Sequence, residues 1–189
     1  MNNLHFYIRP LAAKLAIGAF SLFVFLSPLM TITAKAGGVT NIKEVVNRST
    51  KIVRLTTYED KNDVESKWKT TEKIKAGITW KGDMWIPWAD NNEQFLKHFL
   101  KIEIFKPHPK GNLSDVNIIT IYQSGEYVRT NPDNSYTEEN TDEINVELPS
   151  VDYNADAPRV EGEWRSGGER RIIFSDKKDG SVGFKFESY

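Results

Sequence analysis

Hydrophobic positions in this chain recur mostly at a period of two. In SVGFKFES, Val182, Phe184 and Phe186 alternate with Gly183, Lys185 and Glu187, which predicts a strand with one buried and one wet face. KIVRLTTY (51–58) reads as a strand rich in β-branched residues. VNIITIY (116–122) is apolar on both parities and is predicted to be covered on both faces, and RRIIF (170–174) resembles it. Asp179-Gly180 predicts a hairpin turn between two of these strands, and Ser124-Gly125 predicts another turn.

One segment departs from this period. Phe95, Leu96, Phe99 and Leu100 fall on one helical face, with Asp90 as the expected cap and Glu93 three residues later. Alternation resumes in LKIEIFK (100–106), so a short helix near 91–98 is expected to pass into a strand close to Phe99. Pro107 and Pro109 end that strand, because proline cannot continue a ladder. The fold class predicted is all-β: a single-domain antiparallel β-sandwich or open barrel with at most one short helix. Two long polar stretches, 131–143 and 149–169, read as loops, and loops of that length are usually functional or mobile.

The N-terminal pattern differs from the rest. A basic start (Arg9, Lys14), an apolar run (15–29) and small residues at Ala34 and Ala36 make residues 1–36 a predicted secretory signal, cleaved after Ala36. The run is short for a membrane span and is interrupted by Gly18 and Pro28. The expected location is therefore secreted or periplasmic, with residues 37–189 as one β-rich domain. Without Arg9, Lys14 and Lys35, 22 of the 25 basic residues remain against 26 acidic ones, a formal net charge of −4. That balance gives no basic footprint for nucleic acid. The chain has no cysteine, which excludes disulfides, thiolate metal sites and a cysteine nucleophile. Its core must then come from apolar burial alone. Asn47-Arg48-Ser49 and Asn112-Leu113-Ser114 fit the glycosylation acceptor pattern.

Candidate chemistry centres on WKGDMWIPWADNN (80–92), which holds three of the five tryptophans. In an extended chain Trp80, Gly82, Met84, Ile86 and Trp88 share one face, and Lys81, Asp83, Trp85 and Pro87 share the other. The first set predicts a core face. The second predicts a ring displayed beside Asp83 and Lys81, an arrangement suited to docking a sugar's apolar face. A bulge or the Pro87 bend would instead bury all three rings. The polar loops add Tyr136, Trp164 and Arg165 as candidate ligand contacts.

His98 and His108 match no zinc spacing, and DKKDG (176–180) lacks the ligand set of a calcium loop. No nucleophile elbow or phosphate loop is present in the sequence. The leading expectation is an exported non-catalytic binding module for a carbohydrate or cell-surface ligand, with no cofactor. A membrane-active protein with Trp85, Ile86 and Trp88 at a lipid interface is a second reading. A carboxylate-dependent hydrolase or isomerase using Glu161 and Glu163 is a third.

Overall fold

Alternating patterns become strands wherever both ladder edges or one apolar face can be satisfied. A computed structural model describes residues 38–61, 65–133, 135–139, 149–162 and 165–189, so the predicted signal at 1–36 lies outside the described residues. The strands are β1 (Thr40–Asn47), β2 (Ile52–Lys61), β3 (Glu65–Thr70), β4 (Thr79–Ile86), β5 (His98–Pro107), β6 (Leu113–Ser124), β7 (Tyr127–Pro132), β8 (Tyr136–Glu139), β9 (Glu161–Gly162), β10 (Gly168–Asp176) and β11 (Val182–Ser188). One helix, α1 (Asn92–Lys97), precedes β5. Sheet A has the order β4-β1-β10-β11-β9, and sheet B has the order β3-β2-β5-β6-β7 with β8 also on β6. The two sheets pack as a β-sandwich.

Their facing surfaces form the core. Ile42, Val45, Met84, Ile86, Ile172, Phe174, Val182 and Phe186 from sheet A meet Val53, Leu55, Leu100, Ile102, Ile104, Ile121 and Val128 from sheet B. Sheet B is antiparallel throughout, whereas β1 pairs with β10, and β11 with β9, in parallel. The predicted all-β sandwich thus carries two parallel pairs among mostly antiparallel ones. No local signal orients β1 against a strand more than a hundred residues later.

The doubly apolar reading of 116–122 holds. Ile119 and Ile121 face sheet A, while Val116, Ile118 and Tyr122 are buried on the other side. Two small clusters cover that outer face. Phe105, Val116 and Ile118 pack with Tyr136 at one end. At the other, Phe95 of α1 meets Tyr122 edge-on at 4.8 Å, with Tyr153 and Ala157 alongside.

The helix cap is shifted by one residue from the expected position. Asn91, not Asp90, accepts from the Gln94 amide at 2.9 Å, and Gln94 Oε1 in turn accepts from the Asp90 amide at 2.8 Å. Both residues cap well; burial of Phe95 under Tyr122 selects the register. The helix ends at Lys97 and β5 starts at His98, close to the expected change at Phe99.

The Asp179-Gly180 turn forms, with Gly180 at φ +79° and Asp179 Oδ1 accepting from the Ser181 amide and hydroxyl at 2.9 and 2.6 Å. Those bonds hold the Asp179 carboxyl below its usual value. The two predicted loops contain more structure than expected. The first includes the end of β7 and all of β8, and the second includes β9 and the start of β10. Such polar edge segments carry little apolar alternation, which is why they read as loops.

Candidate ligand-binding face

The outward face of sheet A is assembled from strands distant in sequence. In β4, Met84 and Ile86 are fully buried while Trp85 is 41% exposed, so the indole points away from the core. Trp80 packs inward against the core. Trp88 is half-buried and bridges to Gln123 of β6. Gly82 makes the inward Trp80 possible: a Cβ there would lie 2.4 Å from Trp80 Cζ2. Gly82→Ala is expected to cost about 1–3 kcal/mol through displacement of that ring. Urea unfolding would measure it, and an unchanged midpoint would show that Trp80 can move at no cost.

Cross-strand pairing builds a row on the outer side. Trp85 lies opposite Asn41 of β1, and Asn41 lies opposite Glu169 of β10. Tyr189 follows β11 and donates its amide to the Glu169 carbonyl at 3.4 Å. Tyr189 is 52% exposed. Three strand spacings separate Trp85 from Tyr189, about 14 Å.

Between the rings lies a hydrogen-bonded cluster. The pairing of β1 slips between Ile42 and Glu44 against both neighbours, which is a bulge. Ile42 and Val45 stay in the core, and Lys43 and Glu44 both turn outward to their ion-pair partners. Asp83 accepts from Asn41 Nδ2 at 2.9 Å and from the Lys43 ammonium. Asn41 Oδ1 accepts from the Met84 amide at 3.0 Å, which fixes the orientation of its side chain. The Lys43 ammonium also lies 3.7 Å from Glu169. The hydrogen bond from Lys43, then that from Asn41, holds the Asp83 carboxyl below its usual value, and the same bond to Asp83 holds Lys43 above its own. Both groups stay charged across the neutral range.

Further along the face, Glu44 accepts from Arg171 and lies 3.7 Å from Lys81, and Lys185 pairs with Glu187 at 2.8 Å. The outer face is thus a lattice of opposite charges compensated within itself, with an aromatic ring at each end of one row.

Trp85, Asp83 and Lys81 therefore share one surface. Of the other expected contacts, Tyr136 and Arg165 do not join them. Tyr136 sits on β8, against sheet B: its ring packs on Phe105, Val116 and Ile118, and its hydroxyl donates to Glu103 Oε1 at 2.8 Å. It is a structural ring, because the buried carboxylate beneath it needs a donor. Arg165 bridges to Tyr127 of β7 and lies 3.7 Å from Glu126. Trp164 lies outside the described residues, as does Glu163. Glu161 is exposed on β9 opposite Lys185. The lipid-facing trio of Trp85, Ile86 and Trp88 does not form a patch, because Ile86 is buried in the core. Among the described residues, no three His, Asp or Glu side chains gather as a metal site.

Sequence reading missed Tyr189, Asn41, Lys43 and Glu169. Tyr189 had a signal, since it continues the parity of Lys185 and Glu187 on the polar face of β11. The other three become neighbours of Trp85 only through long-range pairing. Comparison with protein-family models, with curated proteins and with solved structures finds no match for this chain.

Proposed function

We propose that the chain is an exported, non-catalytic binding module that takes a carbohydrate on the outer face of sheet A. The observation that carries this reading is Trp85, exposed beside the Asp83–Asn41–Lys43 cluster. A flat ring stacks on the apolar face of a sugar, and adjacent donors and acceptors meet its hydroxyls. Fixed side chains are pre-ordered for this role and lose little entropy on binding. The charges of the face are paired among themselves, which favours an uncharged glycan over a polyanion. Tyr189 on the same row supplies a second stacking surface.

Retention on insoluble polysaccharides, together with a glycan array, tests the proposal. Trp85→Ala is expected to weaken binding roughly tenfold or more, the effect of losing about 1.5 kcal/mol of stacking. Its thermal unfolding should stay near that of the parent, since the ring lies on the surface. A parent protein that binds no glycan, or a Trp85→Ala variant that binds as well as the parent, would reject the proposal.

A further inference from the structure

A second site is built on the opposite sheet, at the edge of β7. Residues 158–160 and 165–166 pair with that edge. Thr130 donates its amide to the Pro158 carbonyl at 2.9 Å, Val160 to Val128 at 3.1 Å, and Ser166 to Glu126 at 2.9 Å. This pairing sets Arg129 opposite Arg159, and Tyr127 opposite Arg165. Directly opposed side chains have Cβ atoms about 5 Å apart, and like charges in that position repel.

The two guanidinium groups are held in place by other contacts. Arg159 stacks on the Tyr127 ring, 3.5 Å from its centroid, and Arg129 lies 5.8 Å from the same centroid. Arg129 Nη1 donates to the Ala157 carbonyl at 2.7 Å, while its Nε is buried without a hydrogen-bond partner. Among the described residues neither Arg129 nor Arg159 forms an ion pair. Arg165, on the same edge, is 70% exposed and lies 3.7 Å from Glu126. Two arginines at opposed positions, one stacked on the Tyr127 ring and the other near it, and neither ion-paired among the described residues, beside a third, are the reverse of the neutral lattice on sheet A. Planar forks in this arrangement match the oxygens of a tetrahedral anion, which removes their mutual repulsion and supplies charge-assisted hydrogen bonds.

From this geometry we infer that Arg129 and Arg159, with Arg165 flanking them, bind a phosphate or sulfate group. The group is carried either by a small soluble ligand or by a phosphomonoester lipid head group. The inference does not depend on the carbohydrate reading, because it uses none of the residues around Trp85.

The test is a titration of the full chain with inorganic phosphate and with sulfate at low ionic strength, followed by the arginine Nε–H signals in NMR. Saturable shifts at Arg129 and Arg159 in the millimolar range are expected, weakened by added chloride. Arg159→Gln and Arg129→Gln should each reduce affinity at least tenfold, and Arg159→Lys should recover part of it. Co-sedimentation with phosphatidylcholine vesicles, with and without phosphatidic acid, separates the two sources. Phosphatidic acid vesicles binding through the same arginines identify the head group, and response to the free anions alone identifies a soluble ligand. If neither anion gives saturable shifts, or if both glutamine variants bind as the parent does, the inference is overturned. Unfolding midpoints of the variants show that any loss is not loss of the fold.

Discussion

Glu103→Gln is expected to lower stability by about 3 kcal/mol at neutral pH. Glu103 is fully buried on the outer face of sheet B, where Arg54 and Lys101 are each 2% exposed. Arg54 grips the carboxylate with two donors, Nε to Oε2 at 2.6 Å and Nη2 to Oε1 at 3.0 Å. Lys101 lies 3.5 Å from Oε1, and the Tyr136 hydroxyl donates to the same oxygen. Replacing the carboxylate by an amide keeps the shape, but it removes the charge that two buried cations share and sets an NH2 donor where one oxygen accepted from Arg54 or Tyr136. Against a typical total stability of about 5–15 kcal/mol, a loss of that size is large.

The effect carries a pH signature. Burial pushes the Glu103 carboxyl up, but the Arg54 hydrogen bond, the charges of Lys101 and Arg54 and the Tyr136 hydrogen bond together bring it below its ordinary 4.5. A depressed carboxylate contributes stability that is fully present above the unfolded-chain value and is lost as pH falls through the lower folded value. The gap between parent and Glu103→Gln should therefore be constant near neutrality and shrink below pH 4.5. Urea unfolding of both proteins from pH 7 to pH 3 measures it. A gap that does not change with pH would assign the loss to packing instead of charge.

Asn47→Ala is expected to cost a similar amount, about 3 kcal/mol, because several buried polar groups lose their partner at once. Asn47 is fully buried at the end of β1. Its Nδ2 donates to the Lys51 carbonyl at 2.7 Å and to the Ile74 carbonyl at 2.9 Å. Its Oδ1 accepts from the Ser49 amide at 3.1 Å and from the Ser49 hydroxyl at 2.7 Å. One side chain thus ties the turn after β1 to the segment that leads into β4. Asn112→Ala, in the exposed turn between β5 and β6, is the matched control and should change stability by no more than about 0.5 kcal/mol. Equal losses at the two positions would refute the assignment.

The same geometry separates the two glycosylation triplets. Both of the Asn47 amide's donor bonds are used inside the fold, so a glycan there and the native structure exclude each other. Asn112 carries no such restriction.

The tryptophan segment illustrates how much was legible in the sequence. The opposite orientations of Trp80 and Trp85 follow from period two, because the direction of a side chain in an extended chain depends only on local backbone geometry. Strand positions, the Asp179-Gly180 turn and the double coverage of 116–122 were readable for the same reason. The place of Tyr136 was not legible, because nothing near it in sequence announces the buried Glu103, 33 residues earlier, to which its hydroxyl donates.

The sequence by itself determined an all-β chain, the core side of each strong strand and the outward direction of one indole. These are consequences of local periodicity. The tertiary structure alone decided that β1 lies between β4 and β10, and so gathered Asn41, Lys43 and Glu169 around Trp85. It also decided that Asn47 is inaccessible and that Arg129 faces Arg159. Strand partners are chosen by the burial of the whole core, a collective quantity that no single stretch of sequence contains.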